Sequence, residues 1–123
     1  MQIRTLLFKI QILGNLANKD YAKECTELAK NHKNAIGVIS QSRLDDTQPD
    51  LIHMTPGVKI GQKSDNLGQQ YNTPEKAICE KGADVIIVGR GITEADDCVK
   101  MAIKYRDLGW EALSKRSSPI IHT

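Results

Sequence analysis

Val85-Ile86-Ile87-Val88, followed at once by Gly89-Arg90-Gly91, is the stretch that decides the fold. Four consecutive β-branched residues are typical of a strand buried on both faces, as in a parallel sheet. The glycines predict a turn, and a helix is predicted to begin at Thr93, with Asp96 in a capping-box position. Its expected inner face consists of Ala95, Cys98, Val99, Ala102, Tyr105, Gly109 and Ala112. A buried strand that leads directly into an amphipathic helix is the unit from which α/β proteins are built.

The same alternation of strands and helices extends towards the N-terminus. Thr73 and Pro74 predict a helix start, and Gly82 predicts its end just after Lys81. Residues 18–33 predict an amphipathic helix with Asn18 as its N-cap and with Tyr21, Ala22, Cys25, Leu28, Ala29 and His32 on its apolar face. Further strands are predicted at Thr5 to Ile12, Ala35 to Ile39 and Leu51 to Met54. This order predicts an α/β protein with parallel strands.

The amino-acid composition argues against nucleic acids and membranes as partners of this chain. The chain has 123 residues, 40% of them hydrophobic, and a formal net charge of +2, which gives neither a nucleic-acid footprint nor a basic membrane patch. We therefore expect one modest domain that contacts no nucleic acid and no membrane. Lys9 and Gln11 interrupt the apolar stretch at the N-terminus, so no export signal is predicted.

The sequence contains three cysteines, Cys25, Cys79 and Cys98, and their spacing is not that of metal ligands. We therefore expect reduced, partly buried thiols in a cytoplasmic protein that holds no metal.

Candidate ligand-binding residues follow the predicted strands, because α/β proteins bind ligands beyond the carboxyl ends of their strands. Gly89 would let a backbone amide approach an anion, and the Arg90 guanidinium suits phosphate oxygens. Gln69 and Tyr71 supply an amide and a phenol that can donate hydrogen bonds. Pro56 is either a rigid pocket wall or simply the end of a strand. Each of these signals, taken alone, is equally compatible with an ordinary turn or surface loop.

Taken together, three ordered motifs resemble the orotidine 5′-phosphate decarboxylase family, and more narrowly the decarboxylase domain of bifunctional UMP synthases. The motifs are His53-Met54-Thr55-Pro56-Gly57-Val58, then Asn66 to Pro74, then Asp84 to Ile92. The resemblance runs from about Gly14 to Leu113. It implies a (β/α)₈ TIM barrel, usually homodimeric, that decarboxylates orotidine 5′-monophosphate to UMP in pyrimidine biosynthesis without a cofactor.

The resemblance also implies roles for single residues. Gln69, Tyr71 and Arg90 match the family's phosphate-binding side chains, Gly89 matches a backbone donor to the same phosphate, and Pro56 matches a wall beside the pyrimidine ring. Binding energy from the unreacting phosphate would then lower the barrier at the reacting carbon.

The chain departs from the family in two respects. A complete barrel takes about 250 residues, so we expect only the C-terminal half, strands five to eight, with a divergent start at 1–13 and a loose tail at 114–123. The family's catalytic Asp-x-Lys-x-x-Asp motif is absent from the sequence, and Lys9 and Gln11 stand where the family has a glutamate and a serine. We therefore expect no catalytic residue here and no decarboxylation by the chain alone. The alternatives are a non-catalytic nucleotide- or phosphate-binding module, a partner subunit that self-associates or completes another half-barrel, and a small doubly wound domain.

Overall fold

The structure, a computed structural model, describes residues 6–9, 19–43, 47, 50–61 and 72–117. Four strands are present there: β1 (Leu6–Lys9), β2 (Ala35–Ile39), β3 (Ile52–Thr55) and β4 (Val85–Ile86). The helices are α1 (Lys19–Asn31), a π-helix (Lys76–Glu80), α2 (Arg90–Thr93) and α3 (Cys98–Ser117). The predicted strands and helices are thus found in the predicted order, with α2 added between β4 and α3.

The sheet has the order β1-β2-β3-β4, and every pair is parallel. Each strand lies beside the one that precedes it in sequence, so the chain advances around the sheet in one direction. A doubly wound sheet needs a point where the strand order reverses, and the described strands contain no such reversal. The order is that of an arc of a (β/α)₈ barrel.

The helices cover one face of this arc. Val38 on β2 packs with Ala22 and Ala29 of α1. Further along, Tyr105 of α3 and Ala77 of the π-helix form a second cluster, against which Ile86 and other apolar residues pack. Since residues paired across a parallel ladder share a face, the Val38↔His53 and Thr55↔Ile86 pairs all lie on this helix-covered face.

The opposite, concave face is more open than the sequence predicted. Met54 pairs with Val85 on this face, and Ile87 follows two residues later. Val85 is 41% exposed and Ile87 is 36% exposed, so the prediction that Val85 to Val88 is buried on both faces is wrong for the concave side. The reason is that a four-stranded arc covers only its helix side, whereas a closed barrel also fills its interior.

The helix faces need similar corrections. In α3, Tyr105 and Ala112 are buried as predicted, but Val99 is 70% exposed and Cys98 is exposed. In α1, the predicted core residue Leu28 is exposed and Thr26 is buried. Thr26 can be buried because its hydroxyl donates a hydrogen bond to the Ala22 carbonyl at 2.9 Å, which replaces a bond to water. His32 is exposed as well.

The predicted helix boundaries are partly right. Thr73 accepts a hydrogen bond from the Lys76 amide at 3.2 Å, as expected of an N-cap, and Gly82 has the left-handed φ of 74° expected where the helix ends. The cap of α3 is Asp97 instead of Thr93, since its Oδ1 accepts from the Lys100 amide at 3.0 Å. Residues 114–117, which we expected in a loose tail, are the last turn of α3. Asn18 lies outside the described residues.

An aspartate that the sequence did not single out joins three segments at the amino end of β4. The Asp84 carboxylate binds Arg43 at 2.6 Å and Arg116 at 3.2 Å, and it accepts from the His53 amide at 2.9 Å. Arg116 also donates to the carbonyl of Ile78 at 3.1 Å. This cluster fixes the loop after β2, the start of β4 and the end of α3 relative to one another.

No helix in the described ranges combines the length and apolar character that crossing a bilayer requires.

Candidate functional site

The segments that follow β2, β3 and β4 begin at the same edge of the sheet. The Ser40 amide donates to the Met54 carbonyl at 2.9 Å, and the Ile87 amide donates to the Thr55 carbonyl at 2.8 Å. These bonds extend the parallel ladders one step past the strands. Everything that follows Ser40, Thr55 and Ile87 therefore emerges on one rim, the edge where α/β proteins bind ligands.

Pro56 lies on this rim, directly after β3. Because Thr55 pairs with Ile86 and receives the Ile87 amide, Pro56 stands level with the start of the turn that leads to Gly89. Its side chain is half-buried. Gly57 follows with a φ of 72°, a conformation that glycine adopts freely and that redirects the chain. This position is compatible with a wall beside a ligand, and the role of Pro56 stays a prediction.

Asn72 joins the loop after β3 to the loop after β2. Its amide donates to the Gly57 carbonyl, and its carbonyl accepts from the Lys59 amide, both at 2.9 Å. Its buried side chain donates to Gln41 Oε1 at 3.4 Å. Asn72 is the first described residue after the segment that carries Gln69 and Tyr71. Those two residues lie outside the described part of the chain, so their role also stays a prediction.

Gly89 and Arg90 form the turn after β4. The Gly89 carbonyl accepts from the Ile92 amide at 2.9 Å and from the Thr93 amide at 3.1 Å, which closes the single turn of α2. Arg90 is exposed. A Cβ at Gly89 would meet nothing within 4 Å, so packing within the described chain does not require glycine there. The expectation that the long helix follows this turn directly is wrong, since α3 begins at Cys98.

Tyr105 sets the distance between two of these rim segments, a role that the sequence analysis missed. It is only 3% exposed, and its hydroxyl accepts from the Ile60 amide at 2.9 Å. On its other side it meets Gly91, where an added Cβ would overlap the hydroxyl oxygen. A tyrosine on the inner face of a helix was the available signal, because a buried phenol needs a hydrogen-bond partner.

The described rim therefore combines an exposed guanidinium, a glycine that leaves open space, and a half-buried proline. Such groups suit an anion attached to a flat, partly apolar molecule. Asp84, a carboxylate held by two arginines, lies at the other end of β4. It is not placed to act on a ligand at the rim.

No candidate metal site is found in the described ranges, where no cluster of three or more histidine, cysteine or acidic side chains is present. The cysteines described there are free, with Cys25 and Cys79 half-buried and Cys98 exposed. The prediction that the protein works without a cofactor stays a prediction.

Parallel strands in sequential order, helices on the outside and ligand-binding chemistry on the carboxyl rim define part of a (β/α)₈ barrel. A family model described as "Orotidine 5'-phosphate decarboxylase / HUMPS family" matches residues 8–105. The chain belongs to this family.

Curated relatives agree. An orotidine 5′-phosphate decarboxylase of Aureobasidium pullulans is 46% identical over 109 residues, which are 87% of this chain and 40% of that protein. The decarboxylase of Rhizopus oryzae is 42% identical over 114 residues, 90% of this chain and 43% of that protein. A uridine 5′-monophosphate synthase of Bos taurus is 39% identical over 112 residues, 90% of this chain and 23% of that protein.

These matches confirm the resemblance and the fold class, an α/β chain that forms part of a (β/α)₈ TIM barrel. That this part is the C-terminal half stays a prediction. The chain spans less than half the length of the relatives described above.

Proposed function

We propose that this chain carries the phosphate-binding half of an orotidine 5′-phosphate decarboxylase site, and that its ligands are the pyrimidine nucleotides orotidine 5′-monophosphate and UMP. Gly89 and Arg90 would bind the 5′ phosphate together with Gln69 and Tyr71, and Pro56 would lie beside the pyrimidine ring. One observation carries the proposal: the segments that follow β2, β3 and β4 share one rim.

The described contacts support these roles individually. Gly89 leaves open space where a side chain would stand, so its backbone can approach an anion closely. Arg90 is exposed at the same turn and offers a fork of donors that matches phosphate geometry. Asn72, which follows the Gln69 to Tyr71 segment, is hydrogen-bonded to the Pro56-Gly57 loop.

The proposal does not extend to catalysis by the chain alone. Decarboxylation in this family uses an Asp-x-Lys-x-x-Asp motif, and the sequence contains none. We propose that the isolated chain binds nucleotide without converting orotidine 5′-monophosphate. The second candidate function, a non-catalytic nucleotide-binding module or partner subunit, is favoured by this same absence.

Calorimetric titration of the chain with UMP, uridine and inorganic phosphate tests the binding. We expect UMP to bind at least about tenfold more tightly than uridine, because charge-assisted hydrogen bonds contribute about 1.5–3 kcal/mol each. Arg90→Ala should remove most of this difference, and Arg106→Ala on the exposed face of α3 is the matched control. Equal affinities for UMP and uridine would show that the rim holds no phosphate.

A complementation assay separates the two candidate functions. The first half of the Aureobasidium pullulans decarboxylase would be produced separately, mixed with this chain and supplied with orotidine 5′-monophosphate. Turnover that depends on Arg90 identifies the chain as half of an enzyme. Unchanged UMP binding without turnover favours the binding module.

A further inference from the structure

Tyr105 lies buried between two segments of the carboxyl rim. Its hydroxyl accepts a hydrogen bond from the Ile60 amide at 2.9 Å, and a Cβ added at Gly91 would overlap the same oxygen. Ile60 belongs to the loop after β3, whereas Gly91 follows Arg90 in the turn after β4. Because only 3% of Tyr105 is exposed, any effect on a ligand at the rim is transmitted through these two neighbours.

The loop after β3 is closed at its base, next to the bond with the buried phenol. The Lys59 amide donates to the Asn72 carbonyl at 2.9 Å. Ile60 is the next residue along the chain after Lys59. Gln69 and Tyr71, two of the proposed phosphate-binding residues, come later in the same loop, just before Asn72. The Ile60 bond therefore connects the phenol to the base of the loop that carries them.

The turn after β4 is held against the same phenol. The Arg90 carbonyl accepts from the Glu94 amide at 3.1 Å, which closes the turn around Arg90. Ile92 packs against the buried cluster that contains Tyr105. The phenol oxygen occupies the space where a Cβ of residue 91 would stand, so glycine is the residue that lets the turn pack this closely. The backbone at Arg90 is thus fixed by Tyr105, while its side chain is exposed.

Phosphate recognition depends on the spacing of the donors. Charge-assisted hydrogen bonds to phosphate are short and directional, so donors on two segments bind together only when the segments are correctly spaced. Binding groups must be held within about 0.5 Å of their working geometry by the side chains packed behind them. Tyr105 is such a side chain, since one oxygen contacts both segments. Uridine has no phosphate, so its binding should not depend on this spacing.

We propose that Tyr105 is a positioning residue for phosphate binding, which sets the distance between the Arg90 turn and the loop that carries Gln69 and Tyr71. It touches no ligand itself and holds the donors of the two segments at the spacing that one phosphate group requires. This role rests on the proposed function, because it needs a phosphate bound at the rim. A phenol that merely satisfied a buried amide would affect stability alone.

Calorimetric titration of Tyr105→Phe with UMP and with uridine tests this role. We define the phosphate preference as the dissociation constant of uridine divided by that of UMP. Tyr105→Phe should lower the phosphate preference at least about threefold, the size of effect that residues without ligand contact have on a binding site. The dissociation constant of uridine should stay within about twofold. Circular dichroism checks that the variant is folded.

Asp84→Asn is the matched control for lost stability. The Asp84 carboxylate binds Arg43 and Arg116 at the other end of β4, so the variant weakens the fold without touching either segment that Tyr105 contacts. It should keep the phosphate preference within about twofold of the unchanged chain. A drop equal to that of Tyr105→Phe would show that general loosening of the fold, not the spacing of the two segments, controls phosphate binding.

Gly91→Ala alters the same contact from the other side. The added methyl group would displace the phenol oxygen, so this variant should also lower the phosphate preference at least about threefold. In combination with Tyr105→Phe, which removes that oxygen, the loss should be no greater than that of the stronger single variant, because both changes act on one contact. Fully additive losses would show that the two residues act independently and would contradict the proposal.

Amide hydrogen exchange of the unchanged chain is a test that needs no substitution. Coupling between two sites is reciprocal, so a bond that supports phosphate binding is itself strengthened when phosphate binds. At equal saturation, UMP should slow exchange of the Ile60 amide at least about threefold more than uridine does. Equal slowing by the two ligands would overturn the proposal even if every variant failed to fold.

Two results distinguish a failure of this role from a failure of the proposed function. If the unchanged chain binds UMP and uridine equally, no phosphate is bound at the rim and both fall. If the unchanged chain prefers UMP and Tyr105→Phe keeps that preference in full, the proposed function stands and Tyr105 has a structural role only.

Discussion

The Tyr105 hydroxyl occupies the space that a side chain at residue 91 would need, so the turn after β4 rests directly on α3. The same hydroxyl accepts the Ile60 amide at 2.9 Å. One buried phenol thus holds the loop after β3 and the turn that carries Arg90 at a fixed separation.

Alanine at Gly91 should lower stability, whereas alanine at Gly89 should leave stability nearly unchanged and weaken UMP binding. Gly91→Ala places a methyl group against the Tyr105 hydroxyl and should lower the free energy of unfolding by about 1–3 kcal/mol, as overpacking does. Gly89→Ala meets open space and should change it by less than about 1 kcal/mol. Because that methyl group would enter the proposed phosphate site, UMP should bind at least about tenfold more weakly to Gly89→Ala. Urea unfolding and calorimetry measure the two effects, and equal destabilisation by both variants would contradict the prediction.

Tyr105→Phe should destabilise the fold through one hydrogen bond. The variant leaves the Ile60 amide without its acceptor, and an unsatisfied buried donor costs about 1–3 kcal/mol. Urea unfolding should show this loss, whereas Lys104→Ala on the exposed side of α3 should stay within about 0.5 kcal/mol. If the two variants unfold at the same urea concentration, the Ile60 bond contributes little.

Asp84→Asn should be more damaging than any substitution in an exposed ion pair. It removes the charge that faces Arg43 and Arg116, and we expect a loss of about 1–3 kcal/mol, because the carboxylate is only 28% exposed. Asp107→Asn is the control, since its pair with Arg106 is largely exposed and should contribute less than about 1 kcal/mol. Thermal unfolding at low and high salt checks both, and a salt-sensitive loss confined to Asp107→Asn would reverse the ranking.

Thr73→Ala should weaken the start of the helix between the rim loop and β4. The Thr73 hydroxyl accepts the Lys76 amide at 3.2 Å, and removing such a cap costs about 1 kcal/mol. Thr73→Ser keeps the acceptor and should retain most of the stability. Urea denaturation compares the two, and an equal loss in both variants would show that the hydroxyl does not cap the helix.

The candidate site was predictable only in part. Gly89 and Arg90 were identifiable because they follow the most apolar run of the chain, and in α/β proteins such positions bind ligands. That this turn and Pro56 follow neighbouring strands at the same edge of the sheet was not readable from spacing, since it depends on how β3 and β4 pair. Tyr105 lies 45 residues from Ile60, and no local pattern links two positions so far apart.

The sequence by itself determined the order of strands and helices, the parallel α/β class and the ends marked by Thr73 and Gly82, because hydrophobic periodicity, capping and glycine conformation act over a few residues. Only the tertiary structure decided which sides of those elements are covered. Val85, Ile87 and Val99 look like core residues in sequence, yet they are exposed, because burial depends on what packs against a face, and a four-stranded arc supplies helices on one side only.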